Sequence, residues 1–210
     1  MRGALLTLAL ACLAVPCGAA EDHLAPCDLQ EYEQGVEAIA QAAMPGVPEL
    51  WVTVFPSFIP EWSVSVSTID GRHLLTHVIF DRSFWYSSWV KTGPDTAIND
   101  PSKGRARAKA KTANISAELY DALRSEWEKS IKKARASESE TVVVDGVMYN
   151  FRLPGQCGSA RSPHSEARNG KLVDLVIELA RLADSQKSAP VARNEGSVLT
   201  KLRELPPVTD

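Results

Sequence analysis

Trp62-Ser-Val-Ser-Val-Ser-Thr-Ile-Asp-Gly-Arg-His-Leu-Leu-Thr-His-Val-Ile-Phe80 is the stretch of the sequence that decides the fold. It begins with a strict alternation of apolar and hydroxyl side chains, which is the period of a β-strand. The alternation places Trp62, Val64 and Val66 on the inward face of that strand. The outward face is then predicted to carry the three serines, Ser63, Ser65 and Ser67.

The dipeptide Asp70-Gly71 marks the centre of this stretch. A two-residue type I′ turn prefers such a pair because both of its positions need a positive φ. A hairpin closed there predicts three opposed pairs: Val66 with Leu75, Val64 with His77, and Trp62 with Ile79. The other face of the returning strand is also apolar, with Leu74, Val78 and Phe80. Apolar residues on both faces predict that residues 73–80 form a central strand covered on both sides.

Three amphipathic helices accompany this hairpin in the sequence. The first is predicted to start at Asp28, which has capping-box spacing to Glu31, and to end before Pro45-Gly46. Ser116 is the predicted N-cap of the second helix. The third helix carries an apolar stripe from Leu172 to Leu182.

A second hairpin signal surrounds Asp145-Gly146, with Thr141–Val144 before it and Val147–Phe151 after it. The order of elements is therefore helix, strands, helix, hairpin, helix. This order predicts an α+β fold, in which three main helices pack on a mostly antiparallel sheet.

The first twenty residues predict a secretory signal peptide. Arg2 gives a charged start, an apolar run covers residues 4–15, and Gly18 and Ala20 suit a signal-peptidase site. The run is too short to anchor the chain in a bilayer, and a lipidated Cys12 is the alternative. We expect three parts: residues 1–20 as the signal peptide, 21–186 as a single α+β domain, and 187–210 as a flexible C-terminal tail with at most a short helical turn near 198–205.

Cleavage after Ala20 leaves two cysteines, Cys27 and Cys157, in the exported chain. Two cysteines in an oxidising compartment favour one disulfide, and two free thiols are the alternative. We therefore expect a secreted or periplasmic protein with no integral membrane segment after the signal is removed. The formal net charge of −3 argues against general binding of nucleic acid.

One segment is unusually aromatic. Aromatic residues are 7% of the chain, yet they are five of the ten residues from Phe80 to Trp89. If this segment leaves the sheet as a loop, its rings and flanking cations resemble the composition of a protein-interface hot spot. The candidate interface consists of Arg82, Phe84, Trp85, Tyr86, Trp89 and Lys91. The alternative is that the strand continues and the rings fill the core.

A basic run covers Lys103–Lys111, with five cations and no acid. Its alternation of charge and alanine from Arg105 onward predicts either a cationic edge strand or a flexible basic loop. Contact of Lys103–Lys111 with an anionic surface such as phospholipid is one interpretation. A solvated face is the simpler one.

The sequence carries no compact catalytic or cofactor motif. His73 and His77 are four residues apart, but on a strand this spacing is about 13 Å, too far for both to bind one metal ion. His164 lies in a polar loop, where a solvated position is the simplest interpretation. We therefore predict no catalytic residue, no metal ion and no cofactor.

These observations favour a binding protein over an enzyme. The sequence predicts an exported, bacterial periplasmic module that binds a protein partner, and its sharpest form is an inhibitor or immunity protein against an envelope-acting toxin or hydrolase. The alternative is an exported hydrolase of cell-wall or carbohydrate material that uses His77 or His164 as its base. A third interpretation is an envelope protein that contacts lipid through the basic run.

Overall fold

The structure is a computed structural model that describes residues 22–93, 96–136, 145–185 and 191–208. The predicted signal peptide, residues 1–20, lies outside the described residues. So do residues 141–144, the first arm of the second predicted hairpin.

The described residues form strands and helices with the following bounds. The strands are β1 (Ala25–Pro26), β2 (Leu50–Pro56), β3 (Trp62–Ile69), β4 (Arg72–Phe80), β5 (Trp89–Lys91), β6 (Ala97–Asn99), β7 (Ala108–Ile115), β8 (Val147–Leu153) and β9 (Gln156–Arg161). The helices are α1 (Glu31–Ala43), α2 (Phe84–Ser87), α3 (Ala117–Lys132), α4 (Arg168–Asp184) and α5 (Val191–Arg203), and Pro101–Lys103 forms a 3₁₀ turn.

Seven of these strands form one antiparallel sheet in the order β1-β9-β8-β2-β3-β4-β7, and β5 and β6 form a separate two-stranded ribbon. The predicted α+β class with a mostly antiparallel sheet is therefore confirmed. The main sheet is extended by β8 and β9, which form a hairpin through the turn at Gly155.

The β3–β4 hairpin has the predicted register. Val66 lies opposite Leu75, Val64 opposite His77, and Trp62 opposite Ile79. Asp70 and Gly71 have φ values of 49° and 73°, which is the left-handed geometry that a type I′ turn requires. The returning strand β4 lies between β3 and β7, so it is internal to the sheet as predicted.

The first face of the sheet carries the larger core, beneath α3, α4 and α5. Val52, Val64 and Leu75 of the sheet are buried in the same cluster as Leu123 and Trp127 of α3. Helix α4 adds a fully buried stripe: Leu172, Leu175, Val176 and Leu179. Burial of such side chains stabilises a fold by about 1.5 to 3 kcal/mol each relative to exposure.

The second face of the sheet is also covered, by helix α1. Val36 and Ala40 of α1 pack in a smaller cluster with Phe55, Val78 and Phe80. The prediction that the serines of β3 face outward is wrong in one respect. They point to the face opposite Val64, but α1 and its flanking loops bury that face: Ser63, Ser65 and Ser67 are all buried.

Hydroxyl groups line the sheet on this second face. Ser63 donates to the carbonyl of Val52 at 2.9 Å. The hydroxyls of Thr53, Ser65 and Thr76 are buried and have no hydrogen-bond partner among the described protein atoms. The alternation that identified the strand could not reveal this burial, because alternation shows which residues share a face and not what covers that face.

The start of α1 differs from the prediction. The helix begins at Glu31 after an N-cap at Gln30, and no side chain caps its backbone. Asp28 instead accepts a hydrogen bond from the Gln30 amide at 3.2 Å, so the predicted capping box is absent. The predicted cap of the next long helix is confirmed, since Ser116 accepts from the backbone N–H of Leu119 at 3.2 Å.

The predicted disulfide is present between Cys27 and Cys157, whose Cα atoms are 5.8 Å apart. It joins the segment before α1 to strand β9 and closes a loop with a sequence separation of 130 residues. None of the described helices is both long and apolar enough to cross a membrane. The disulfide is compatible with an extracellular or periplasmic protein.

The expectation of a flexible tail from residue 187 is wrong for residues 191–208. Helix α5 packs on α3 and α4, and Val198 is buried in the larger core. Glu195 accepts a hydrogen bond from the backbone N–H of Ser116, and Lys201 pairs with Glu178 at 3.1 Å. Proline content and polarity predict a loose segment, but Val198, Leu199 and Leu202 of α5 pack on the larger core and complete the cover of the first sheet face.

We expect Val198→Ala to lower the free energy of unfolding by about 1 to 3 kcal/mol, because it removes buried apolar volume from the core. The control is Ser197→Ala, one position earlier on the exposed side of α5, which should change it by less than about 0.5 kcal/mol. Urea unfolding followed by circular dichroism measures both. Equal and small effects would show that α5 does not contribute to the core.

Reduction of the Cys27–Cys157 bond should lower the melting temperature by up to about 10 to 20 °C. The chain-entropy model assigns about 5 kcal/mol at most to a loop of this size, and each kcal/mol shifts the melting temperature by about 2 to 4 °C. The measurement is a thermal melt with and without a reductant, together with a thiol titration that confirms reduction. The double variant Cys27→Ser, Cys157→Ser is the control, and its melting temperature should not respond to the reductant. An unchanged melting temperature in fully reduced wild-type protein would contradict the prediction.

Candidate functional site

The aromatic segment after β4 leaves the sheet, and its rings divide between core and surface. The chain bends at Asp81, forms the single helical turn α2, and continues into the ribbon of β5 and β6. Phe84 of the candidate interface is buried. Trp85, Tyr86 and Trp89 are exposed, at 38%, 55% and 45% of their surface. The strand therefore does not continue, and of the four rings in this segment only Phe84 fills the core.

The buried side chain of Glu61 holds this segment in place. Its carboxyl oxygens accept hydrogen bonds from the backbone N–H groups of Phe84 at 2.7 Å and Trp85 at 3.2 Å. They also accept from the hydroxyls of Tyr32 at 2.6 Å and Ser83 at 3.2 Å. One side chain before β3 thus fixes both α2 and the first turn of α1.

Ser83 completes the attachment of α2 to the body of the protein. Its hydroxyl accepts from the backbone N–H of Tyr86, so it is the N-cap of this short helix. Serine is favoured at this position because its oxygen satisfies a backbone donor that the helix leaves unpaired. The turn is therefore held by its own cap and by Glu61 together.

A continuous series of ring contacts runs from the core to the surface. The ring of Tyr32 lies 5.7 Å from Phe55, 6.1 Å from Phe84 and 5.2 Å from Trp85, measured between centroids. Trp85 in turn meets Trp89 edge to face at 5.9 Å. Burial and the adjacent Glu61 carboxyl group raise the pKa of Tyr32 above its ordinary value, so its hydroxyl stays a donor to Glu61.

An open groove of about 420 Å³ lies beside these rings. Its lining combines aromatic side chains with a few polar ones: Tyr32, Phe55, Pro56, Ser57, Phe58, Trp85, Tyr86, Asp145, Gly146, Met148 and Arg161. Phe58 is exposed over 69% of its surface. We call the exposed rings Phe58, Trp85, Tyr86 and Trp89 the aromatic patch.

Hydrogen bonds hold the walls of the groove together. The Tyr86 hydroxyl donates to the Ser57 carbonyl at 3.3 Å. The Ser57 hydroxyl donates to the Gly146 carbonyl at 2.7 Å and accepts from the Gly146 N–H at 3.0 Å. Three separate parts of the chain, α2, the loop after β2 and the residues before β8, are therefore linked around one groove.

The basic run packs against α2. The backbone N–H of Arg105 donates to the Ser87 hydroxyl, and that of Arg107 donates to Asp81. Gly104 packs so close to the ring of Phe84 that a side chain at this position would not fit. The second half of the run belongs to β7, an edge strand of the main sheet, so the run is a loop that continues into a cationic edge strand.

The charged members of the candidate interface flank the patch. Arg82 is exposed and its guanidinium lies 3.6 Å from the Asp81 carboxylate. Lys91 is exposed at the end of β5. Five of the six predicted residues are thus exposed, and Phe84 is buried against Tyr32.

His77, one of the two histidines proposed as a catalytic base, is buried in the protein. His77 is 8% exposed, its ring meets Trp62 edge to face, and its Nδ1 lies 2.9 Å from Asp184. Burial alone would raise the pKa of Asp184, but hydrogen bonds and charges from His77 and Lys111 hold it below its ordinary value. No serine, threonine or cysteine of the described residues hydrogen-bonds to the His77 ring.

His73 and His164 also have ordinary environments. His73 stacks on Tyr120 at 4.0 Å between centroids. His164 lies exposed in its loop, where its Nδ1 accepts from the backbone N–H of Glu166. Within the described part of the chain, no three His, Cys, Asp or Glu side chains are grouped closely enough to hold a metal ion.

Sequence reasoning missed Glu61, Phe58 and Arg161 as parts of this site. Glu61 stands directly before a β-strand with no motif around it, and Arg161 ends a strand that the sequence did not predict. Tyr32 was assigned only to the apolar stripe of α1. The one available signal was the acid of Glu61 between Pro60 and Trp62, which is too common a pattern to single out.

Comparison of the chain with protein-family models, with curated proteins and with solved structures finds no match.

We expect Glu61→Gln to lower the free energy of unfolding by about 2 to 4 kcal/mol, because an amide N–H₂ then faces donors that lose their acceptor. The near-ultraviolet circular dichroism of the tryptophans should weaken as α2 loosens. Glu31→Gln, an exposed acid in the first turn of α1, is the matched control and should leave both signals near wild type. If the two variants behave alike, Glu61 does not hold the aromatic segment.

Proposed function

We propose that this protein is an exported protein-binding module and that the aromatic patch is its contact surface for a protein partner. The observation that carries the proposal is the set of four exposed rings, Phe58, Trp85, Tyr86 and Trp89, on a base that is otherwise buried. Tryptophan and tyrosine are the residues most enriched in interface hot spots, because they bury a large area and lose little conformational entropy.

Rigid support favours the same proposal. The buried Glu61 carboxyl group holds the aromatic segment through four hydrogen bonds. A binding surface gains affinity when its side chains are held in place before the partner binds. The ring of Trp85 rests on Tyr32, and Trp89 rests on Trp85. The patch is therefore preorganised and not a loose loop.

The sharpest form of the proposal is an inhibitor or immunity protein for an envelope-acting toxin or hydrolase. Such proteins bind their targets through preformed surfaces whose backbone moves little on binding. The disulfide between Cys27 and Cys157 is the kind of bond that persists in an oxidising compartment, where such targets act.

The test is the double variant Trp85→Ala, Trp89→Ala in a capture experiment. The full chain carries a C-terminal tag, is exported to an oxidising compartment, and is exposed to the envelope and secreted proteins of the native host. We expect one stoichiometric partner that the wild type retains and the double variant loses, since hot-spot truncations cost about 2 kcal/mol or more each. Calorimetry with the purified partner then gives the affinity of both forms.

The matched control is the double variant Val47→Ala, Ile98→Ala, which removes exposed apolar side chains outside the patch. It should retain the partner. Thermal melts of all three proteins show whether the tryptophan variant remains folded. A partner held equally by a folded tryptophan variant, or a wild type that captures nothing, would contradict the proposal.

A further inference from the structure

The charges around the aromatic patch are unbalanced, although the whole chain is acidic. The chain has a formal net charge of −3. Around α2, the ribbon and the groove, the described residues include six cations: Arg82, Lys91, Lys103, Arg105, Arg107 and Arg161. The same region includes four acids: Asp81, Asp100, Asp145 and the buried Glu61. Cations therefore outnumber acids around the patch.

Two of these four acids already serve their own loops, whereas Asp145 lines the groove. Asp81 accepts from the backbone N–H of Arg107 at 2.9 Å, and Asp100 accepts from the backbone N–H of Ser102 at 3.0 Å and from its hydroxyl at 2.6 Å. Their charge is thus directed towards the protein's own donors. The six cations are exposed, and the Arg82 guanidinium lies 3.6 Å from the Asp81 carboxylate.

Among the described residues that line the groove, Arg161 is the one cation and Asp145 is the one acid. Arg161 is exposed at the end of β9, and its Nη2 lies 3.9 Å from the Met148 sulfur. Among the described residues its guanidinium has no carboxylate partner, whereas Arg124, Arg152 and Arg181 each pair with a glutamate. A guanidinium that is bordered by aromatic walls and lacks a carboxylate suits an incoming carboxylate, which it can bind through two parallel hydrogen bonds.

We infer that the groove accepts an acidic segment of the partner protein, in which an apolar side chain packs against Tyr86 and Phe58 while a neighbouring carboxylate binds Arg161. This inference rests on the proposed function and specifies the chemistry of its partner. Electrostatic steering by the five outer cations increases the rate of association with an acidic partner. These cations are Arg82, Lys91, Lys103, Arg105 and Arg107. The aromatic patch supplies the apolar contact that determines how long the complex lasts.

A protein segment fits this surface better than a membrane or a polyanion does. A flat anionic surface would engage the exposed cations of the run but would leave a groove with aromatic walls unfilled. An apolar anchor next to a carboxylate uses both features of the groove. Anionic vesicles are therefore one arm of the test and not part of the inference.

The test is selection of a phage-displayed library of random twelve-residue peptides on the immobilised, oxidised full chain. Arg161→Met is the variant, because methionine keeps much of the side-chain length and removes the charge. Arg72→Met, at the far end of β4, is the control that removes the same charge away from the groove. We expect enrichment of peptides that place Asp or Glu next to Leu, Phe or Trp on the wild type and on Arg72→Met, but not on Arg161→Met.

Fluorescence anisotropy with the most enriched peptide gives the magnitude. Loss of a charge-assisted contact should weaken binding about tenfold or more in Arg161→Met. Arg161→Lys should recover part of this loss, because it restores the charge without the planar fork. Raising the salt concentration from about 0.05 M to about 0.5 M should weaken binding to the wild type more than binding to Arg161→Met.

Three outcomes would overturn the inference. The wild type could enrich acidic–apolar peptides no more than Arg161→Met does, or it could enrich basic or uncharged peptides. In the third outcome, Arg72→Met weakens peptide binding as much as Arg161→Met does. Binding to phosphatidylglycerol vesicles that competes with the peptide and needs only the basic run would also overturn it. If a captured protein partner depends on Trp85 and Trp89 but not on Arg161, the proposed function holds and this inference fails.

Discussion

The buried carboxyl group of Glu61 is the interaction on which the arrangement of the surface depends. It lies where β3 begins, and its four donors come from α1, from the residue before α2 and from the backbone of α2. A buried acid without partners would strongly destabilise the fold. With four donors, the same group connects the sheet, the first helix and the aromatic segment, so the position of the patch follows from the position of the hairpin.

The two faces of the sheet are covered by different chemistry. The face beneath α3, α4 and α5 is aliphatic and aromatic, and its burial supplies most of the apolar contact of the fold. The face beneath α1 carries serine and threonine hydroxyls and a smaller apolar cluster around Phe55, Val78 and Phe80. Helix α1 is therefore held by fewer apolar contacts, and the Glu37–Arg152 ion pair, the Tyr32–Glu61 hydrogen bond and the nearby disulfide add to them.

This difference explains why the candidate site lies where it does. The groove opens on the second face, beyond the first turn of α1, where Tyr32, Trp85 and Met148 meet. The rings there are fixed from below by the core and remain exposed above. The cations of this face extend around them, so apolar contact and charge act on one partner from neighbouring positions.

The sequence alone was sufficient for the parts of this protein that depend on local patterns. Alternation and the Asp70-Gly71 turn gave the correct register of β3 and β4, and helical periodicity located α1, α3 and α4. Two cysteines in a chain with an apparent export signal indicated the Cys27–Cys157 disulfide. The local density of rings identified the exposed part of the candidate site, because composition within ten residues needs no knowledge of the fold.

What the sequence could not determine depends on contacts between distant segments. Whether Ser65 is outside or buried depends on α1, and whether residues 191–208 are loose depends on the surfaces of α3 and α4. Arg161 and Phe58 reach the groove only after β2, β8 and β9 pair in the sheet. Glu61 carries no sequence signature, because its role comes from four donors that folding brings to it from 22 to 29 residues away. Local periodicity determines which face of a helix or strand a side chain occupies, whereas tertiary packing determines which residues it contacts there.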